Sequence, residues 1–151
     1  MDNQELIRHF YEVVFSNQLL DELPELVAED CVLREGEELI PTGIDGMRQN
    51  LLWMRQFCPD CRMRVIRQYS DGDTVISECV MEGTHLDDWM GIPPSGKHLR
   101  FNGINIDRIE NGKIVEHCGI INTFETLLAH RLIQPCLLYT SDAADERSSV
   151  D

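Results

Sequence analysis

An α+β fold, with helices first and a strongly curved, mostly antiparallel sheet after them, is what this 151-residue sequence predicts. Three observations lead there. Apolar residues recur at helical spacing as far as Phe57, the period changes from 3.6 to 2 beyond Arg62, and Asp71-Gly72 and Asn111-Gly112 punctuate the extended part as tight turns. Helices followed by a meander are an α+β order. A curved sheet folded over such helices forms a cone-shaped barrel with a cavity, a natural place for a small organic molecule.

Each element has its own signal. Asp2 and Glu5 form a capping-box variant, and Leu6, Ile7, Phe10, Val13 and Val14 recur at helical spacing to about Phe15. A second, short helix falls around Asp21 to Pro24, with the proline in its first turn. Cys31 to Arg34 is a brief strand. Gly43-Ile44-Asp45 caps a third helix with Met47, Leu51, Met54 and Phe57 on one side. Met63, Val65 and Arg67 alternate with Arg64, Ile66 and Gln68 in a half-buried strand, and Thr74 to Thr84 is its hairpin partner. Gly91 to Gly96 is a Gly/Pro-rich loop. Leu99 to Ile109 and Lys113 to Asn122 are two further strands, and Thr123 opens a last helix with Phe124, Leu127 and Leu128 on its apolar face.

Composition bounds the function. Hydrophobic residues make up 42%, which suits a globular chain and argues against general disorder. The formal net charge of −14 repels phosphate, so neither nucleic acid nor an anionic membrane is an expected partner. No apolar run reaches the roughly 18–20 residues that span a bilayer, and the polar start MDNQELIRHF lacks a secretion signal's layout; a cytoplasmic protein is expected. Cys58-Pro-Asp-Cys61 is a lone CxxC without the second pair that a structural zinc site needs, and no histidines show HExxH spacing, so no metal is expected. Phosphate-binding glycine loops and a GxSxG nucleophile elbow are missing too.

The domain is expected to end near Pro135, as residues 1–135. From Cys136 to Glu146 the sequence resembles a translated sequencing-library adapter, and Arg147 to Asp151 fits a following barcode; residues 136–151 are expected to be a non-native or disordered tail.

Within the domain, Gly83-Thr84-His85, then Gly91-Ile92-Pro93-Pro94-Ser95-Gly96-Lys97, then Arg108-Ile109-Glu110-Asn111-Gly112-Lys113-Ile114-Val115-Glu116-His117 resemble the SnoaL-like polyketide cyclases in order and spacing. That resemblance implies a nuclear-transport-factor-2-like cone, shared with ketosteroid isomerases and limonene epoxide hydrolases. The fold by itself does not assign an activity. It implies an enzyme without cofactor that removes a proton beside a carbonyl, giving cyclisation or isomerisation of an apolar polyketide- or steroid-like substrate. Where the family's acid/base aspartate is expected, near the end of the last long strand, this chain has Asn122, which cannot carry a proton on and off near neutral pH. A non-catalytic binding module of the same shape is the competing reading, and Asn122 favours it. Epoxide hydrolysis needs an acidic pair bridged by Arg, which Asn105 and Asn122 do not provide.

Similarity to ketosteroid isomerases implies a different set: Glu35 as base, provided that the pocket desolvates it, with Tyr11 and Asn105 donating to the enolate oxygen. Each has a plainer alternative, namely packing for Tyr11, a solvated acidic loop for Glu35 and the outer sheet face for Asn105. Asn122 is either a polar contact or the cap of the last helix. His85 ends a strand at the cone's mouth, or is an ordinary surface histidine. If Cys118 and Asn122 face the pocket, alternation turns His117 away from it. Trp53, Met54, Met81 and Cys118 are expected to line the cavity and Trp89 to act as a lid, against ordinary core packing. A homodimer through the outer sheet face is expected, because a curved sheet has a second face to cover.

Overall fold

Asp2 starts the first helix, α1 (Asn3–His9), through a reciprocal capping box: Glu5 N–H donates to Asp2 Oδ1 at 2.8 Å and Asp2 N–H to Glu5 Oε2 at 2.9 Å. In this computed structural model, which describes residues 1–136, the helix continues as a wider π-helical stretch, Phe10–Phe15. Ser16 follows it and ties it to the sheet: its hydroxyl donates to the Tyr11 carbonyl at 2.9 Å and accepts from Met63 N–H at 2.9 Å. Apart from Cys136, the expected tail lies outside the described residues.

A 3-10 turn, Leu20–Glu22, leads into α2 (Leu23–Leu26), with Pro24 in its first turn as expected. The brief strand expected at Cys31 is longer, β1 (Val27–Glu35), and it turns straight into β2 (Glu38–Pro41). The acidic run Glu35-Gly36-Glu37-Glu38 hid this hairpin, because its polarity reads as a solvated loop. Gly36 at φ +62° makes the turn. Helix α3 (Gly43–Phe57) buries Met47, Leu51 and Phe57. Then come β3 (Arg62–Asp71), β4 (Thr74–Thr84), β5 (His98–Glu110), β6 (Lys113–Ile121) and α4 (Thr123–Ala129).

The six strands form one mixed sheet in the order β2-β1-β6-β5-β4-β3. Only β1 and β6 run parallel; the other pairs are antiparallel, and the sheet stays open with β2 and β3 at its edges. The α+β class and the helices-then-meander order are as the sequence predicts. The inner face packs on the first helix and α3 around Phe10, Leu23, Leu99 and Phe101, each essentially buried and each contributing about 1.5–3 kcal/mol by leaving water.

One irregularity decides which residues face the cavity. Pairing runs Ile109↔Ile114 and then Arg108↔Glu116, so Val115 is an extra residue bulged out of β6. A bulge restarts the alternation, so inward-facing Ile114 is followed inward by His117 rather than by Glu116 or Cys118.

Candidate active site

Between the first helix, α3 and the inner sheet face lies a cavity of about 220 Å³ that opens to solvent. Its walls are mostly apolar: Phe10 and Phe15 from the first helix, Met47, Leu51, Trp53 and Met54 from α3, and Met63 and Met81 from β3 and β4. Polar groups converge where β5 and β6 run side by side. Asn105 and His117 stand there, with Tyr11 across from them and Gly119 between. Arg34 and Glu35 lie at the mouth, where Arg34 Nε donates to Glu116 Oε1 at 2.7 Å.

Behind His117 sits Asp107, with no exposed surface. Its Oδ1 is 2.7 Å from His117 Nδ1, and its Oδ2 accepts the Tyr11 hydroxyl at 2.7 Å. Tyr11 Oη also lies 3.4 Å from His117 Nδ1. Burial first, and then the charge and hydrogen bond of Asp107, push the Tyr11 hydroxyl well above its ordinary pKa, so it remains a donor. A buried carboxylate therefore receives two donors from two different elements.

Asn105 has a different surrounding. Its Nδ2 meets only sulfur, Cys79 Sγ at 3.6 Å and Met63 Sδ at 3.8 Å. Thiol and thioether sulfurs are weak acceptors, so the amide hydrogens remain available to a stronger one arriving in the cavity.

Tyr11, Glu35, Asn105, Trp53, Met54 and Met81 are thus gathered around one cavity. The Tyr11 hydroxyl is engaged with Asp107, and Glu35 is exposed at the mouth, without the desolvation that its role as base called for. Four expectations are corrected. Cys118 and Asn122 line a groove on the outer sheet face, because the Val115 bulge reverses the facing of the residues after it. Asn122 caps α4, accepting from Glu125 N–H. His85 is completely buried, neither at the mouth nor on the surface, with Nδ1 3.0 Å from Ser95 Oγ. Trp89 is no lid: it is buried and stacked on Phe57 with ring centroids 4.4 Å apart.

The CxxC is part of the packing. Cys58 and Cys61 are buried, and a Cβ at Gly83 would lie 2.6 Å from Cys58 Sγ, so β4 passes directly against the thiol. Asp60, between them, accepts from Thr84 N–H at 2.7 Å and from its hydroxyl at 2.8 Å. Among the described residues no three His, Cys, Asp or Glu side chains cluster to hold a metal, and no helix is long and apolar enough to cross a membrane.

Asp107 and His117 were not singled out from sequence as site residues, yet a signal was present. An unbulged ladder continuing from Ile109↔Ile114 would set Asp107 opposite Glu116, a like-charge pair that destabilises a sheet. Moving β6 by one residue pairs Asp107 with His117 and Arg108 with Glu116 instead.

Comparison with known proteins agrees with this architecture. The family model for the SnoaL-like polyketide cyclase matches residues 5–129. IdmH from Streptomyces antibioticus, a candidate polyketide cyclase, is 29% identical with a TM-score of 0.74, covering 88% of this chain and 100% of that one. A candidate polyketide cyclase from Acidithiobacillus ferrooxidans has a TM-score of 0.77 at 19% identity, covering 85% of this chain and 94% of that one. AclR from Streptomyces galilaeus, a candidate hydroxylase, has 0.74 at 22%, covering 86% and 94%. No curated protein matches the chain.

Proposed function

Because this chain belongs to the SnoaL-like polyketide cyclase family, we propose that its cavity binds an apolar carbonyl compound and removes a proton from the carbon beside the carbonyl, leading to cyclisation or isomerisation. The observation that carries this reading is the pairing of an under-used donor with proton acceptors in an apolar cavity. Asn105 offers amide hydrogens that meet only sulfur, while His117 inside and Glu35 at the mouth are able to take a proton. A donor fixed in advance at a developing enolate oxygen lowers the barrier because it needs no reorganisation as the charge appears. The walls of Phe, Met, Leu and Trp suit an apolar body attached to that carbonyl.

The test is α-proton exchange in D₂O with a panel of apolar ketones and β-keto esters, followed by NMR, with Glu35→Gln beside the wild type. Exchange faster than in buffer is the expected result. A protein that accelerates no member of the panel contradicts the reading. Loss of exchange in Glu35→Gln identifies Glu35 as the base.

We also infer that two copies pack through the outer sheet face. Ile104 and Ile120 pair across β5 and β6 while 52% and 71% exposed, and Ile76 and Ile106 pair beside them across β4 and β5. Water-facing isoleucines on three adjacent central strands form an apolar strip of the kind that a partner covers. Sedimentation equilibrium should give a dimer that Ile120→Lys converts to monomer; a wild type that is monomeric at tens of micromolar contradicts it. A cytoplasmic site of action fits the six cysteines, all free.

A further inference from the structure

We infer that His117 is the base of this site, with Asp107 and Tyr11 as its positioning residues and Gly119 as the opening through which its Nε2 meets the substrate. The inference rests on the enolising reading above and assigns the atom that takes the proton.

The two ring nitrogens of His117 have different surroundings. Nδ1 is bound to the buried Asp107 carboxylate at 2.7 Å. A carboxylate only accepts, so Nδ1 carries the hydrogen there, and the neutral ring keeps its lone pair on Nε2. Both hydrogen-bond contacts of the His117 ring are made by Nδ1, and Nε2 faces the cavity beside Gly119. The Tyr11 hydroxyl on the second carboxylate oxygen fixes Asp107 and hence the ring.

Gly119 supplies the space. It pairs with Asn105 across the two strands and lines the cavity. A Cβ at this position would lie 3.2 Å from His117 Nε2 and 2.7 Å from Asn105 Oδ1. That point belongs to the cavity because the residue has no side chain. A substrate carbon beside it is within proton-transfer reach of Nε2, and it meets the Asn105 amide through Oδ1, which must move aside to admit it because 2.7 Å is inside contact distance. Any other residue at 119 would fill it with a carbon of its own.

The chemistry balances without an oxidant or reductant. Nε2 takes the proton from the carbon beside the carbonyl. The C–H electron pair forms the C=C bond of the enolate, and the carbonyl π pair moves to oxygen, where the Asn105 amide donates. The imidazolium keeps Nδ1–H on Asp107. In isomerisation Nε2 returns the proton to another carbon of the conjugated system. In cyclisation the enolate carbon bonds to a second carbonyl carbon of the same molecule, and the proton goes to that oxygen.

Two variants and one spectrum test this. His117→Gln has no base at this position and should lose about 10²–10⁴-fold in α-exchange rate. Gly119→Ala removes no functional group and leaves a strand residue with ordinary backbone angles, so the fold should persist, yet a methyl occupies the reacting position and should cost about 10²-fold. ¹⁵N spectra of histidine-labelled wild type at alkaline pH should show His117 with Nδ1 protonated and Nε2 bare. Loss of exchange in both variants with that tautomer supports the inference. Exchange in His117→Gln within about threefold of wild type removes His117 as the base while leaving the enolising function standing. Nε2–H as the neutral tautomer overturns the assignment whether or not a substrate is found. A wild type with the expected tautomer that enolises nothing overturns the function on which the assignment rests.

Discussion

Replacing Asp107 by Asn is expected to lower proton abstraction about 10²–10⁴-fold while leaving the fold in place. Asn has nearly the shape of Asp, and its Oδ1 can still accept the Tyr11 hydroxyl that now donates to Asp107 Oδ2 at 2.7 Å. The other half of the amide is a donor. Facing His117 Nδ1, it bonds to a lone pair there and drives the ring hydrogen to Nε2. The cavity then meets an N–H where it had met a base, and the imidazolium formed during reaction loses its counter-charge. Thermal denaturation should give a shift of a few degrees, since a buried hydrogen bond weakens but none is left without a partner. The ¹⁵N spectrum separates this from structural damage: activity falls and the His117 tautomer inverts together. Activity lost with the original tautomer retained would make Asp107 a residue of the core only, and unchanged activity would remove it from the mechanism.

The second large effect is expected at Asn105. Asn105→Ala should reduce kcat about 10²–10³-fold with little change in KM, because the amide donor is strongest where oxygen bears the enolate charge. Stability should change little, since Nδ2 gives up only two weak contacts to sulfur, at 3.6 and 3.8 Å. The truncation also widens the Gly119 notch, so binding is not impaired sterically. Steady-state kinetics on whichever ketone exchanges fastest decides the matter. A raised KM with kcat intact would show that Asn105 holds the ground state alone, and that the enolate charge is met elsewhere.

Much of the frame was legible in the residues because its punctuation is local. Gly43-Ile44-Asp45 marks the start of α3, and Asp71-Gly72 and Asn111-Gly112 mark two hairpins, so these elements fall within a residue or two of expectation. The capping box at Asp2 and Glu5 is likewise a four-residue event. The β1–β2 hairpin escaped because Glu35, Glu37 and Glu38 look the same in a solvated loop as in an exposed turn between short strands. For the site, Tyr11, Asn105, Trp53, Met54 and Met81 were found on elements whose phase was correct. Cys118 and Asn122 were placed on the wrong face by one bulged residue, Val115, and the same residue turned His117 inward against expectation. Periodicity has no memory of a bulge, so every side chain after it is inverted at once. Asp107 was overlooked for a related reason. It alternates with Ile106 and Arg108 like any strand residue, and its importance appears only when its cross-strand partner is known.

His85 and Trp89 illustrate a further limit. Both stand beside a Gly/Pro-rich loop, where exposure is the usual expectation. Here the loop folds back: His85 N–H donates to the Lys97 carbonyl at 2.9 Å, and Gly96 N–H to the His85 carbonyl at 2.9 Å. The two rings are thereby drawn into the core beside Phe57 and Phe101. Such long-range closure leaves no trace in local periodicity.

If this cavity enolises a carbonyl compound through His117, the side chain at 117 and not that at 35 controls the rate. The most direct measurement is the initial rate of α-deuteration of one reactive ketone by wild type, Glu35→Gln and His117→Gln, in the same D₂O buffer. Clear acceleration over buffer is expected for wild type and for Glu35→Gln, whose side chain is exposed at the mouth, with a fall towards the buffer rate for His117→Gln. Acceleration that survives in His117→Gln, or that vanishes only in Glu35→Gln, would contradict this role of His117.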